Sequence, residues 1–208
     1  MKIYDVTVPI SKELIVYPGD PPIKIKRAKT LGKNDAEYNL TTFSFGAHTG
    51  THIDAPFHLF ADGAKADELP LEMLIGPARV VEITSPRIDE EALQEFDLMA
   101  DVRLLFKTRN SYLWGKNEFV QEYVYITLDA ARYLIKEGVK LIGIDYLSIE
   151  KFGSNDLPVH KEFLSAGTII VEGLNLRDIE PGDYEMICLP LKVTESDGAP
   201  ARVILRQS

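Results

Sequence analysis

The chain has 208 residues, with 23 Lys and Arg against 32 Asp and Glu for a formal charge of −9, and it carries four histidines and one cysteine. That length and a 45% apolar, 26% charged composition exclude a disordered chain and predict one domain over residues 1–208, while the acidic balance argues against nucleic-acid binding, which needs a basic face. No apolar run nears the roughly 20 residues of a membrane helix, the opening residues lack the plan of a signal peptide, and the lone Cys188 excludes an internal disulfide, so a soluble cytoplasmic protein is expected.

Residues 1–10 are expected as a strand, followed by a shaped loop at Tyr17-Pro18-Gly19-Asp20-Pro21-Pro22, where proline fixes φ and glycine permits positive values. Residues 23–29 alternate apolar and basic, as an exposed strand does, and the aromatic and β-branched stretch 38–47 predicts another. A strand at 78–84 precedes a helix at 89–96, whose Asp89 and Glu90 suit the positive end of the helix dipole. Strand 101–108 follows, then a helix at 127–139 with Thr127 as N-cap and Gly138 at its close. The short apolar runs 140–145 and 168–173 read as buried strands, and 184–193 and 201–206 as the closing ones. No repeat, low-complexity tract or Gly/Ser linker divides the chain. The expected class is a β-rich α/β domain with a mixed sheet.

Three of the histidines fall within eleven residues, in His48-Thr-Gly-Thr-His52-Ile-Asp54-Ala-Pro-Phe-His58. Imidazole and carboxylate together suit zinc, and also manganese or iron. The four positions share one parity, so an extended strand would point them to one face. Along such a strand His52 and Asp54 stand roughly 7 Å apart, close enough to converge on one ion, whereas His48 would lie roughly 13 Å from His52. A bend at Gly50 is therefore expected to bring His48 in, and Pro56 to swing His58 toward the same cavity. A helical reading that places His48 and His52 one turn apart fails on Thr49-Gly50-Thr51, a poor helix, and no glutamate follows His48. Unconnected histidines remain the alternative, and three of them with an aspartate around a Gly and a Pro disfavour it.

The segment matches H-x-G-T-H-x-D-x-P-x-H at every fixed position and resembles the signature of the cyclase-like metal-dependent hydrolases, which include bacterial kynurenine formamidases and isatin hydrolases. The resemblance extends along the chain: Tyr17-Pro18-Gly19-Asp20 is similar to the family's aromatic-Pro-Gly-Asp loop, Gly143-Ile144-Asp145 to a Gly-x-Asp strand end, and Asp197-Gly198-Ala199-Pro200-Ala201-Arg202 to its C-terminal turn and strand. Formamidases of the family usually carry tryptophan where Tyr17 stands, and residues 151–159 depart from a serine-rich stretch of that subgroup.

The resemblance implies the swivelling β/β/α fold of the family and a site with one or two divalent ions, zinc first and manganese second. By it, His48, His52 and Asp54 hold one ion, and Asp54 bridges to a second that His160 and Glu172 also bind. Glu172 has independent support, because a lone carboxylate in an apolar strand is costly unless paired or bound to metal; a salt bridge to a basic residue is its other reading. His160 read by itself is equally an ordinary histidine at a helix start. A bound metal lowers the pKa of water from 15.7 toward about 7, so the implied reaction is attack of metal-bound hydroxide on an amide carbonyl. His58 is the candidate general base and acid, imidazole being suited by an ordinary pKa of about 6.5; a fourth ligand, or a partner that hydrogen-bonds a ligand from behind, is its alternative role.

Tyr17 is the candidate to stack on an aromatic substrate. Cys188, in an apolar run, reads as a buried inert thiol. Tyr112, Trp114, Phe119 and Tyr123 suit a substrate lid, a subunit contact or plain core packing, and the resemblance implies a homodimer. The leading expectation is an arylformamidase converting N-formyl-L-kynurenine to L-kynurenine and formate. A cyclic amide such as isatin, or a cyclase or dehydratase reaction, is the enzymatic alternative. A small-molecule-binding protein with a structural metal is disfavoured, since closed structural zinc sites draw on cysteine.

Overall fold

The computed structural model describes residues 1–98 and 103–207. In chain order its elements are β1 (Lys2–Asp5), β2 (Lys24–Lys29), β3 (Leu40–Ser44), β4 (His52–Asp54), α1 (Leu71–Leu74), β5 (Ile75–Glu82), α2 (Glu90–Leu93), β6 (Arg103–Lys107), α3 (Leu128–Lys136), β7 (Leu141–Ile144), α4 (Pro158–Ser165), β8 (Ile169–Glu172), β9 (Gly182–Pro190) and β10 (Gly198–Gln207). Eight strands form one mixed sheet in the order β1-β10-β4-β8-β7-β6-β5-β9, and β9 also pairs with β10, closing the sheet into a barrel-like ring. Strands β5 to β8 run parallel, β4 joins β8 and β9 joins β5 antiparallel, and β10 pairs antiparallel with both β4 and β9. The β-rich α/β class with a mixed sheet is as the sequence implies.

Parallel strands covered on both faces need apolar residues throughout, and the alternation of their side chains divides the core in two. Leu105, Leu141, Ile169 and Val171 join Ile53, Met186, Val203 and Leu205 on one face. Leu104, Phe106, Ile142, Ile144 and Ile170 point the other way, beneath Ala130, Ala131 and Leu134 of α3 and Val159, Phe163 and Leu164 of α4. Phe163 is fully buried and contributes roughly 2–3 kcal/mol to seating α4 on the sheet. Cys188 lies in the first core, and burial pushes its thiol up to about 12, so it is inert as expected.

Several boundaries move. The expected strand 1–10 runs as a strand over Lys2–Asp5 and makes one further bridge, Thr7 to Leu174; beyond it Val8 donates to the Thr51 hydroxyl at 2.9 Å, and Pro9 has no N–H to continue a ladder. Strands 23–29 and 38–47 pair with each other as a separate two-stranded hairpin. The helix expected at 89–96 is a single turn capped by Asp89, which accepts from Ala92. The helix over 127–139 runs Leu128–Lys136 and stops before Gly138 at φ +81°. Thr127 occupies its N-cap position but does not cap it; its hydroxyl donates instead to the Ile88 carbonyl at 3.1 Å. Of the strand expected at 101–108, residues 101 and 102 lie outside the described residues.

Candidate metal centre

The site grows from β4. Its Ile53 enters the core, so alternation turns His52 and Asp54 to the opposite face. β8 lies alongside in a register that sets Glu172 opposite His52. His48 and His58 are outside the strand, so parity does not place them. Gly50 at φ +67° turns His48 back over the sheet, and Pro56–His58 forms one short 3-10 turn that carries His58 inward. Both bends fall at the residues that suggested them. His48 also needs Gly198 on β10, where an added Cβ would stand 2.8 Å from its ring. His160 comes from the first turn of α4, so it is both a helix-start histidine and a member of the cluster.

His48 Nδ1 lies 2.7 Å from Asp54 Oδ1. His52 Nδ1 is 2.9 Å from the Gly50 carbonyl, which requires the proton there and leaves Nε2 facing Asp54 Oδ1 and Glu172 Oε2, each at 3.4 Å. His160 repeats the arrangement: Nδ1 is 3.2 Å from Glu150 Oε2, and Nε2 is 3.2 Å from Glu172 Oε1 and 3.6 Å from Asp54 Oδ2. Glu172 also accepts from the Ile149 amide at 2.7 Å, and among the described residues its ion-pair partners are histidines rather than lysine or arginine.

Three triads each bring one ligand atom per residue to within 4.8 Å of the others: the half-buried His48–His58–Asp197, and two that converge deeper, His48–His52–Asp54 and Asp54–His160–Glu172. Asp54 belongs to both of the deeper two. Two atoms at this junction, His52 Nε2 and Asp54 Oδ2, are buried without a hydrogen-bond partner. Orphaned buried groups are costly, and an imidazole nitrogen fixed by a carbonyl behind it, beside a carboxylate that keeps one oxygen without a hydrogen bond, is the pattern of metal ligands. The donor set fits a divalent ion.

Electrostatics agree. Burial alone would lower the histidines, but Asp54 and Glu172 raise His52 to about 10, and Glu150 and Glu172 raise His160 to about 10. Burial opposes ionisation of Asp54, yet His48 and His52 hold its carboxyl well below the usual range. In the metal-free chain, protons therefore supply the positive charge that an ion would supply. Both histidines have folded values above the ordinary 6.5, so their stabilisation is complete below pH 6.5 and is lost as pH rises through about 10. Thermal midpoints of chelated protein are expected to fall across that window, and divalent ions, which displace these protons, to flatten the fall.

A cavity of about 200 Å³ opens onto the cluster, lined by Tyr17, Asp20, His58, Leu147, Ser148 and Leu157 together with His48, Asp54, His160 and Glu172. Tyr17 is thus at the site. Behind it, Phe119 meets it edge-on at 5.3 Å, and Phe119, Tyr123 and Trp114 each pack on Tyr146. Those three pack in this cluster, Tyr123 buried and Trp114 and Phe119 partly so, whereas Tyr112 is 61% exposed beneath the Arg177 guanidinium. Asp145 is not in the site: fully buried, it accepts from the Thr108 and Ser111 amides and hydroxyls, tying the ends of β6 and β7 together.

Two carboxylates escaped the sequence reading as site residues. Asp197 Oδ2 lies 2.9 Å from His48 Nε2 and 3.2 Å from His58 Nδ1, joining the two rings. Glu150 backs His160. Asp197 stands in the C-terminal turn whose likeness to the family was the one signal for it; nothing in the sequence marks Glu150.

Residues 4–151 match the family described as "Putative cyclase". The chain is 36% identical to a kynurenine formamidase from Salinibacter ruber over an alignment of 210 positions, covering 100% of this chain and 99% of the relative. A solved structure described as a potential metal-dependent hydrolase with cyclase activity superposes with a TM-score of 0.86 at 38% identity, covering 100% of this chain and 99% of the other. Isatin hydrolase A from Labrenzia aggregata shares the fold, with a TM-score of 0.86 at 22% identity over 98% of this chain and 93% of its own.

Proposed function

The chain belongs to the cyclase family, with full-length likeness to kynurenine formamidases, and from that premise we propose that it is a metal-dependent arylformamidase hydrolysing N-formyl-L-kynurenine to L-kynurenine and formate. The observation that carries the reading is the convergence of His48, His52, Asp54, His160 and Glu172 at two orphaned ligand atoms beside a cavity that also holds His58 and Tyr17. His48, His52 and Asp54 would hold one divalent ion and Asp54, His160 and Glu172 a second, zinc being the expected metal and manganese the alternative. When bound, such ions polarise a carbonyl and make water acidic near neutral pH.

The chain's own residues do the rest. His58, its Nδ1 held by Asp197, takes the proton from the attacking water and returns it to the leaving aryl nitrogen. Asp197 also contacts His48, so one carboxylate fixes base and ligand relative to each other. Tyr17 packs on the aryl ring, with Leu147 and Leu157 as apolar walls. The C–N bond breaks, water supplies the hydroxyl of formate, and the proton passes to the amine.

The test is turnover in isotopically labelled water by metal-loaded protein. Hydrolysis places one solvent oxygen in formate, whereas cyclase or dehydratase chemistry places none. Turnover of isatin in place of the formamide would assign the cyclic-amide substrate.

Among the described residues no helix is long and apolar enough to cross a membrane. We infer a cytoplasmic setting from the lone, buried cysteine and a homodimer from family membership. Exposed Phe43, Leu189 and Leu191 suit such a contact.

A further inference from the structure

We propose that Glu150 is a positioning residue of the metal site, holding the His160 ring in its ligand orientation and the segment from 151 to 157 in its shape; the inference rests on the metal-site reading above. Glu150 is 3% exposed, and among the described residues its one ion-pair partner is His160. A buried carboxylate with no lysine or arginine is expensive unless its oxygens are fully engaged. They are: Oε2 accepts from the Val159 amide at 3.1 Å and faces His160 Nδ1 at 3.2 Å, and Oε1 accepts from the Ser154 hydroxyl at 3.2 Å.

Each bond has a separate consequence. The contact with Nδ1 fixes the His160 tautomer, so Nε2 is the nitrogen presented to Glu172 and Asp54. The bond to Val159 supplies the helix cap that α4 lacks, because Leu157 at its N-cap position has no side-chain acceptor. Asp156 and Leu157 are both left-handed, at φ +64° and +47°, and such a conformation is unfavourable for a bulky residue such as Leu157. Glu150 offsets that strain by bonding on both sides of it, at Ser154 and Val159. Leu157 lines the cavity, so the same carboxylate sets a cavity wall and a ligand.

The experiment titrates chelated protein with Zn²⁺, and with Co²⁺ as a spectroscopic probe, in wild-type, Glu150→Gln and His160→Ala chains. Gln keeps an acceptor for Val159 but removes the charge behind His160. The expected result is a Glu150→Gln chain of near-native thermal midpoint that binds the ion lost in His160→Ala about 10–100-fold more weakly. Its other ion is unchanged, the Co²⁺ spectrum of the affected ion is altered, and kcat falls. Native affinity for both ions in Glu150→Gln, with one ion lost in His160→Ala, overturns the positioning role and leaves the metal site standing. Both ions retained in His160→Ala overturns the metal-site reading and this inference with it. Should Glu150→Gln fail to fold, Glu150→Asp, which keeps the charge on a shorter stem, is read by the same criterion, native affinity again overturning the role.

Discussion

Replacing Asp54 with Asn is expected to remove both metal ions and to lower kcat/KM by more than about 10⁴-fold, since the ions supply several kcal/mol of charge stabilisation and the acidification of water from pKa 15.7 to about 7. The reason is its place in the cluster. Among the described residues Asp54 joins the His48–His52 pair to the His160–Glu172 pair, and one of its oxygens is buried without a hydrogen-bond partner. His48→Ala or Glu172→Gln removes a member of one pair each, and each is expected to strip one ion while leaving the other. Metal content by elemental analysis, set beside steady-state rates, checks the contrast. An Asp54→Asn chain that holds two ions would remove the shared-ligand geometry from the account.

His58→Ala is expected to act differently, lowering kcat by about 10²–10⁴-fold, the usual contribution of a general acid–base group. Metal content and KM should stay near wild-type. Unlike His52 and His160, which are buried among carboxylates, His58 is a quarter exposed at the cavity, and among the described residues its carboxylate partner is Asp197 alone. Loss of an ion on this substitution would reassign His58 as a ligand. A rate unchanged within twofold would leave the site without its base.

The ligand segment was legible because its chemistry is local. His52, Asp54, the turn at Gly50 and the turn after Pro56 all follow from eleven consecutive residues, and the bends expected at Gly50 and Pro56 confine the strand to His52–Asp54. Glu172 was legible for another reason, as a carboxylate in an apolar strand. What supports these residues was not legible, because it is long-range. Asp197 meets His48 and His58 only because β10 pairs with β4, setting Gly198 opposite Asp54. Glu150 meets His160 only after the chain has made left-handed turns at Gly153, Asp156 and Leu157. Gly153 and Asp156 tolerate the conformation, but Leu157 is a type that rarely adopts it, so the residue itself argues against such a turn. The aromatic residues show the same limit. Trp114, Phe119 and Tyr123 suit a lid, a subunit contact or core packing in sequence, and only the fold shows them packed around Tyr146 behind Tyr17, Tyr123 buried and the other two partly so.

The central claim is that these residues form a metal-dependent site for an aryl formamide. The measurement that tests it most directly is release of L-kynurenine from N-formyl-L-kynurenine by chelator-stripped protein, before and after addition of Zn²⁺ or Mn²⁺. The account predicts negligible turnover without metal and full recovery on reloading, in proportion to ions bound. Turnover by fully stripped protein equal to that of the reloaded protein would contradict it.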